Sequence, residues 1–387
     1  MGGAGVLAVP NVHVRAVDED VPRSVDLMYG SYTIRGDIWA LQYKLIMSTT
    51  SLKTLTGCLI LLLVACGPAR KQSAQSSAGY TILFYNVENL FDTVDDPATQ
   101  DDDFTPGGKL EWTAERLSKK IGRIGEVMTR SDVSFPVLAG LCEVENAHVL
   151  DMLISSEALR PAAYGVLHRD SPDERGIDVA LLYRRDAFVP EQQEWLRVEL
   201  PQPADPYTRD ILYVSGLLGG ERIHVFVNHW PSRSGGQQES EPNRIHAAHV
   251  LAGRIAAIRN QDTGARIICM GDFNDHPSDT SVRKVLGAGS ASEDFLFNMM
   301  ADDEQRGEGS HWYKGEWGPL DQFIVSRPLL DARRGLRTTP EGARTMQDSF
   351  LLFTDSKGQV RPSRTYAGEK YVDGYSDHLP IVLQLSR

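Results

Sequence analysis

The stretch IICMGDFND, residues 267–275, runs from four apolar residues straight into Gly271-Asp272-Phe273-Asn274-Asp275. An apolar run this short, rich in β-branched residues and closed by Gly and Asp, reads as a buried strand. In extended backbone the side-chain period is two, so Asp272 and Asn274 fall on one face with Phe273 on the other. Buried strands that end by presenting a carboxylate and a carboxamide point to an α/β architecture with its site at strand ends.

The same pattern recurs outward from this segment. Strand-like runs at 81–87, 137–144, 178–183, 211–215, 222–229, 266–270, 320–325 and 380–385 alternate with helical spacings. In 113–128, Leu117, Ile121, Ile124 and Met128 share one face, with Thr113 available as N-cap. In 243–259, Ile245, Ala248, Ala252, Ile255 and Ile258 do so, with Pro242 suited to the first turn. No solenoid-length repeat interrupts this alternation, so residues 80–387 read as one α/β domain.

The ends of these runs carry carboxylates, carboxamides and imidazoles, with no serine or cysteine in a recognisable nucleophile setting. Asn86 and Glu88 close the first run, Glu143 the second, and Asn228-His229 the fifth, while Asp377-His378 precede the last. A formal charge of −12 excludes a protein that holds nucleic acid mainly through a basic face. It leaves room for a metal-dependent enzyme, whose bound cation supplies positive charge locally.

Taken in order, Tyr85-Asn86-Val87-Glu88, Leu141-Cys142-Glu143-Val144-Glu145, Asn228-His229, Gly271-Asp272-Phe273-Asn274, Leu320-Asp321-Gln322 and Ser376-Asp377-His378 resemble the motifs of the endonuclease/exonuclease/phosphatase superfamily. Each motif alone is weak; the six in sequence, spanning 80–387, are specific. The resemblance implies a four-layer α/β/β/α sandwich of two mainly antiparallel sheets flanked by helices, an α+β arrangement. It implies divalent-metal-dependent hydrolysis of phosphate esters, with an endonuclease or exonuclease as the expected activity. Phosphomonoesterases and sphingomyelinase-type phospholipases share the core residues. A catalytically silent binding module is the reading from another class, but such modules lose a metal, base or phosphate position, and all are present here.

The chemistry accounts for the residue types, since phosphate-ester hydrolysis needs an activated water, a cation and hydrogen bonds to the phosphoryl oxygens. By the resemblance, Glu143 is the principal ligand of Mg²⁺, or of Mn²⁺, with Glu88 and Asp377 as further metal-side carboxylates. Asp272 activates the water and Asn274 fixes the geometry; an Asx turn would account for the same two residue types. His378 contacts the phosphate with Asp321 orienting its ring, and His229 is a second phosphate-side histidine, with Asp178 as its expected carboxylate partner. Asn86 bonds the phosphate or the metal's water. Arg233, beside Ser234 in a glycine-rich loop, and Arg175 are candidate phosphate contacts.

Other features are plainer. His246 and His249 share a helix face without a third ligand in sequence. The six aspartates of 92–103 lack EF-hand spacing and read as a solvated loop. Trp312, Tyr313, Lys314 and Trp317 suit stacking on a base, with packing against the Leu320 strand as the simpler reading. Cys142 and Cys269 lie in apolar strands, as buried thiols or a disulfide.

Upstream, Lys53 precedes an apolar run from Leu55 to Ala65 that ends in Leu63-Val64-Ala65-Cys66. The run is too short to span a bilayer and resembles a bacterial lipobox, so 47–66 is expected to be a lipoprotein signal peptide with Cys66 as the lipidation site. Residues 1–46 are then an upstream segment or mis-started leader, and 67–79 a flexible tether. The resulting expectation is a lipid-anchored, monomeric protein of a bacterial cell envelope, periplasmic or surface-facing. It has no transmembrane helix, and it acts on nucleic acid or another phosphate ester.

Overall fold

Tyr80–Leu90 form β1, a run whose interior residues from Thr81 to Glu88 are all buried. The computed structural model describes residues 79–130, 135–201 and 207–387, which belong to one compact unit. The 1–46 segment, the signal-like stretch 47–66 with Cys66, and tether residues 67–78 lie outside the described residues. Among the described residues no helix is long and apolar enough to cross a membrane.

After β1 come α1 (Ala114–Arg130), β2 (Leu138–Val144), α2 (Ala147–Ser155), β3 (Tyr164–His168), β4 (Asp178–Arg184), β5 (Phe188–Leu196), β6 (Ile211–Leu218) and β7 (Glu221–His229). Then follow α3 (Gln237–Gln261), β8 (Ile267–Asp272), β9 (Ala288–Gly289), β10 (Leu296–Asn298), a hairpin of β11 (His311–Tyr313) and β12 (Glu316–Gly318), and β13 (Asp321–Ser326). The chain closes with β14 (Ala343–Thr345), the short hairpins β15 (Leu352–Thr354) with β16 (Val360–Pro362) and β17 (Tyr366–Ala367) with β18 (Lys370–Tyr371), and β19 (Ile381–Leu385).

One sheet has the order β14-β19-β1-β2-β4-β3 and the other β5-β6-β7-β8-β13-β10-β9. Most neighbours are antiparallel; β1 with β2 and β7 with β8 run parallel at the two sheet centres. Between the sheets lies one core of Ile82, Phe84, Leu138, Val225, Ile268, Phe323 and Leu383. The outer face of the first sheet packs on α1 and α2 through Ile124, Met128 and Leu150, and that of the second on α3 through Leu251 and Ile255. This is the expected four-layer arrangement.

Local chemistry fixes the helices with one departure. Thr113 Oγ1 accepts the Arg116 N–H at 3.4 Å, capping α1 as its sequence suggested. Helix α3, however, begins at Gln237, so Pro242 sits inside it and not in its first turn. Pro242 has no N–H for Gln238 O; around it side chains add donors to the first turn, Ser240 Oγ to Gly236 O and Arg244 Nη2 to Gln237 O. Cys142 and Cys269 are free buried thiols in different cores, so the disulfide does not form.

Candidate active site

The two central parallel strand pairs, β1 with β2 and β7 with β8, end side by side, and the site is built where they meet. In the second sheet one register row carries His229 of β7 opposite Asp272 of β8, which stands opposite Asp321 of β13. Close approach of β7 and β8 depends on Gly271, where an added Cβ would lie 2.5 Å from the Asn228 Cβ. From the first sheet come Asn86 on β1 and Glu143 on β2. Both strands change register there, and Glu143 adopts φ +60°. A left-handed glutamate in a strand is strained, and bulges of this kind re-aim side chains at functional sites.

Asp272 Oδ2 is the hub. Asn86 Nδ2 donates to it at 3.2 Å and to Glu143 Oε1 at 3.3 Å, tying the two sheets together. His378 Nε2 lies 3.8 Å from the same oxygen, and His229 Nε2 lies 3.9 Å from it and 3.9 Å from Glu143 Oε1. On its other side His378 Nδ1 is 2.6 Å from Asp321 Oδ2, which Ser310 Oγ also approaches. The structure therefore gathers Asn86, Glu143, His229, Asp272, Asp321 and His378 in one place, although their sequence positions span nearly the whole domain.

Burial and neighbours set the charges. Burial pushes the Asp272 carboxyl up to about 6, against the pull of His378, and Asp321 adds to the rise. His378 is held well above the usual histidine range: burial works against its charge, but Asp321 and Asp272 outweigh it. His229 goes the other way. Burial drives it well below the usual range, and Arg209 and Arg175 reinforce this, so its ring is neutral.

Several expected residues take other places. Asp178 does not partner His229; its Oδ2 lies 3.0 Å from His168 Nε2 and its Oδ1 accepts the Ser171 N–H. His168 on β3 stands opposite Ala180 and so diagonally across from Asp178, a local pairing that carries no motif. Glu88 does not share a face with Asn86, because Glu88 and Asn89 adopt φ +51° and +61° and break the strand alternation. Its carboxylate accepts the Thr365 N–H at 2.6 Å and lies 3.5 Å from Arg364, and burial raises it to about 7. Asp377 lines the cleft but pairs with Arg364 at 2.9 Å.

Asn274 is likewise not a second strand residue beside Asp272. Its N–H donates to Asp272 Oδ1 at 2.9 Å, the Asx turn, and φ +50° turns its side chain so that Nδ2 reaches Trp230 O. Arg233 lines the cleft, yet Nε donates to Asn274 O and Nη2 to Asp279, so its donors are committed to holding the Asn274 loop. Arg175 stays 44% exposed beside Asp173 and contributes only its field at His229. His246 and His249 remain on α3, and no group of metal-ligating side chains among the described residues includes them. The aspartate loop is only partly solvated, since Asp101 is buried.

Sequence reasoning missed His311, whose ring lies 4.6 Å, centroid to centroid, from that of His378. Burial lowers it to about 4, helped by the charge on His378. It opens onto a cleft of about 940 Å³ that also takes in His378, Asn274, Arg364, Trp312, Tyr313 and Trp317. Trp312 and Tyr313 therefore wall the cleft, and only Trp317 packs against the core of the first sheet. A lone histidine on a short hairpin carries no spacing signal that would have revealed it.

The donor set suits a hard divalent cation. Ligand atoms of Asp272, Asp321 and His378 lie within 4.8 Å of one another, all buried. The short Nδ1 to Oδ2 contact makes His378 and Asp321 a hydrogen-bonded pair, which leaves Glu143, tied to Asp272 by the Asn86 amide, as the carboxylate free to donate oxygen to a cation.

Residues 81–387 match the model of the Endonuclease/Exonuclease/phosphatase family. No curated protein matches the chain. Among solved structures, D. rerio TDP2 humanized by 14 mutations is 14% identical, with 81% of this chain and 100% of that chain covered and a TM-score of 0.51. A Bacteroides thetaiotaomicron endonuclease/exonuclease/phosphatase family protein is 16% identical over 80% of this chain and 98% of that chain, TM-score 0.49. The mannosyl-6-phosphatase Bt3783 from the same species is 16% identical over 80% and 100%, TM-score 0.49. At these identities the likeness is one of fold.

Proposed function

The chain belongs to the endonuclease/exonuclease/phosphatase family, and from that premise we propose that it is a nuclease that cleaves phosphodiester bonds with a water activated by Asp272. The coarser statement needs no proposal: members of this family are divalent-metal-dependent phosphoric ester hydrolases, and this chain is one.

The observation that carries the reading is the position of Asp272, a buried carboxylate with two imidazoles and a carboxamide around one oxygen. Its Oδ1 accepts the Asn274 N–H, so Oδ2, ringed by Asn86, His229 and His378, is the oxygen left to accept the proton of the attacking water. His378, kept charged by Asp321, donates from Nε2 to a phosphoryl oxygen. His229, kept neutral, adds a hydrogen bond without a second positive charge. Glu143 would hold the cation, for which Mg²⁺ is our assignment and Mn²⁺ the alternative. When bound, that ion neutralises charge building on the phosphoryl and departing oxygens.

Choice of a polynucleotide over a small phosphate monoester rests on the cleft. At about 940 Å³, with Trp312, Tyr313 and Lys314 on its wall, it extends well beyond what a phosphate alone would fill.

The test is a panel of plasmid DNA, RNA oligonucleotides, inositol phosphates, sphingomyelin and simple diesters, each with Mg²⁺, Mn²⁺ or EDTA, and with Asp272→Asn and His378→Ala controls. We expect cleavage of a polynucleotide with metal only. Turnover confined to monoesters or to sphingomyelin would overturn the nuclease reading.

A further inference from the structure

Three rings run out from the reacting centre in a row. The His378 and His311 centroids are 4.6 Å apart at 39°, and those of His311 and Tyr313 are 6.4 Å apart at 23°. His311 and Tyr313 are alternate residues of β11 and so share a face of it. The row is held rigidly to the site. His311 bridges His378 through the backbone, and Leu379 N–H donates to Ser310 O at 2.7 Å. At the other end the hairpin turns through Lys314 and Gly315, both at positive φ, +50° and +100°, as a tight two-residue turn demands. Yet Tyr313, which the turn holds so firmly, is 63% exposed, and its ring lines the cleft with Lys314 Nζ 5.0 Å from its centroid. A rigid aromatic ring left open beside a cation is a stacking surface.

We propose that Tyr313 is a specificity-determining residue, a stacking subsite for the nucleobase attached to the phosphate that binds at His378. This deepens the nuclease reading and rests on it for the seat of the phosphate. A tyrosine loses little side-chain freedom on binding, so a base laid on it gains contact area at small entropic cost. Every base has a flat face, so the subsite selects nucleotides over sugar or lipid phosphates while remaining tolerant of sequence.

Adenosine 5′-monophosphate and ribose 5-phosphate, which share sugar and phosphate and differ in the base, are titrated into the full chain with Mg²⁺ by calorimetry. The nucleotide is expected to bind about tenfold or more tightly in the wild type. That preference should vanish in Tyr313→Ala and persist in Tyr313→Phe. Equal affinities in the wild type, or a preference that survives Tyr313→Ala, overturn the proposal. The nuclease reading is read separately from cleavage of oligonucleotides. A base preference without such cleavage sinks that reading and leaves the subsite standing, whereas cleavage without a preference does the reverse.

Discussion

Asp272 and Asp321 stand directly opposite each other in the antiparallel pairing of β8 and β13, two buried carboxylates in one register row, and His378 bonds the second while facing the first. Like charges this close are tolerated because the imidazolium sits between them. The arrangement separates what each group contributes to rate and to stability.

Asp272→Asn should lower kcat by about 10²–10⁴-fold, the usual contribution of a general base. The folded protein should not suffer. Burial raises the Asp272 carboxyl from 3.8 to about 6, so the native state holds its proton over a pH range in which the unfolded chain releases it. Stability therefore falls as pH rises through that window, and a neutral Asn removes the loss. Calorimetry at pH 8 without metal should give an unchanged or higher Tm; a lower Tm together with the lost rate would mean that the residue is structural.

Asp321→Asn should act through His378. The native histidine is held above its ordinary 6.5, so the ring is fully charged at low pH and the charge is lost as pH rises through the native value, which sets the alkaline limb of activity. Removing the Asp321 charge lowers that value and moves the alkaline limb of the kcat/KM profile toward acid. A profile displaced toward alkali, or unmoved, would show that Asp321 does not govern the ring.

EDTA should abolish turnover, and Glu143→Gln should raise the metal concentration for half-maximal rate by about tenfold or more, since one hard oxygen donor is lost. Full recovery at the wild-type metal concentration would remove Glu143 from the cation.

Glu145→Gln reports on the loop beside the site. Burial, with the charges of Asp92, Asp101 and Asp96, raises Glu145 from 4.5 to about 7 against the pull of the Asp92 N–H. The acid is protonated in the native state but ionised in the unfolded chain between those values, so stability falls as pH rises from 4.5 to about 7. In metal-free buffer the variant should gain about 1–3 kcal/mol at pH 8 and little at pH 4.5, measured by urea unfolding.

The lipobox reading of Leu63-Val64-Ala65-Cys66 remains our proposal for localisation. Cys66→Ser should leave the protein unprocessed or released from the membrane fraction; normal processing with continued membrane attachment would end it.

The strand ends were legible because each chemistry-bearing residue lies at or beside an end of an apolar run, and apolar runs of this length have few alternatives to a strand. Asn86, Glu143, His229 and Asp272 close such runs, while Asp321 opens one and His378 precedes one. What escaped depended on backbone that departs from regular period. Alternation alone would put Asn274 beside Asp272 and Glu88 beside Asn86, but Glu88 and Asn274 are themselves at positive φ, which cancels it. Asp178 meets His168 and not His229, because a diagonal cross-strand contact ten residues away leaves no mark in the pattern. His311 reaches His378 only through a single bridge between distant segments.

The Asn86 amide, shared between Glu143 of one sheet and Asp272 of the other, makes catalytic competence a property of docking. Neither half of the sandwich owns a complete set of reacting groups, so a chain in which only one sheet has formed is inert. Regain of activity during refolding thus reports the final closure of the seam.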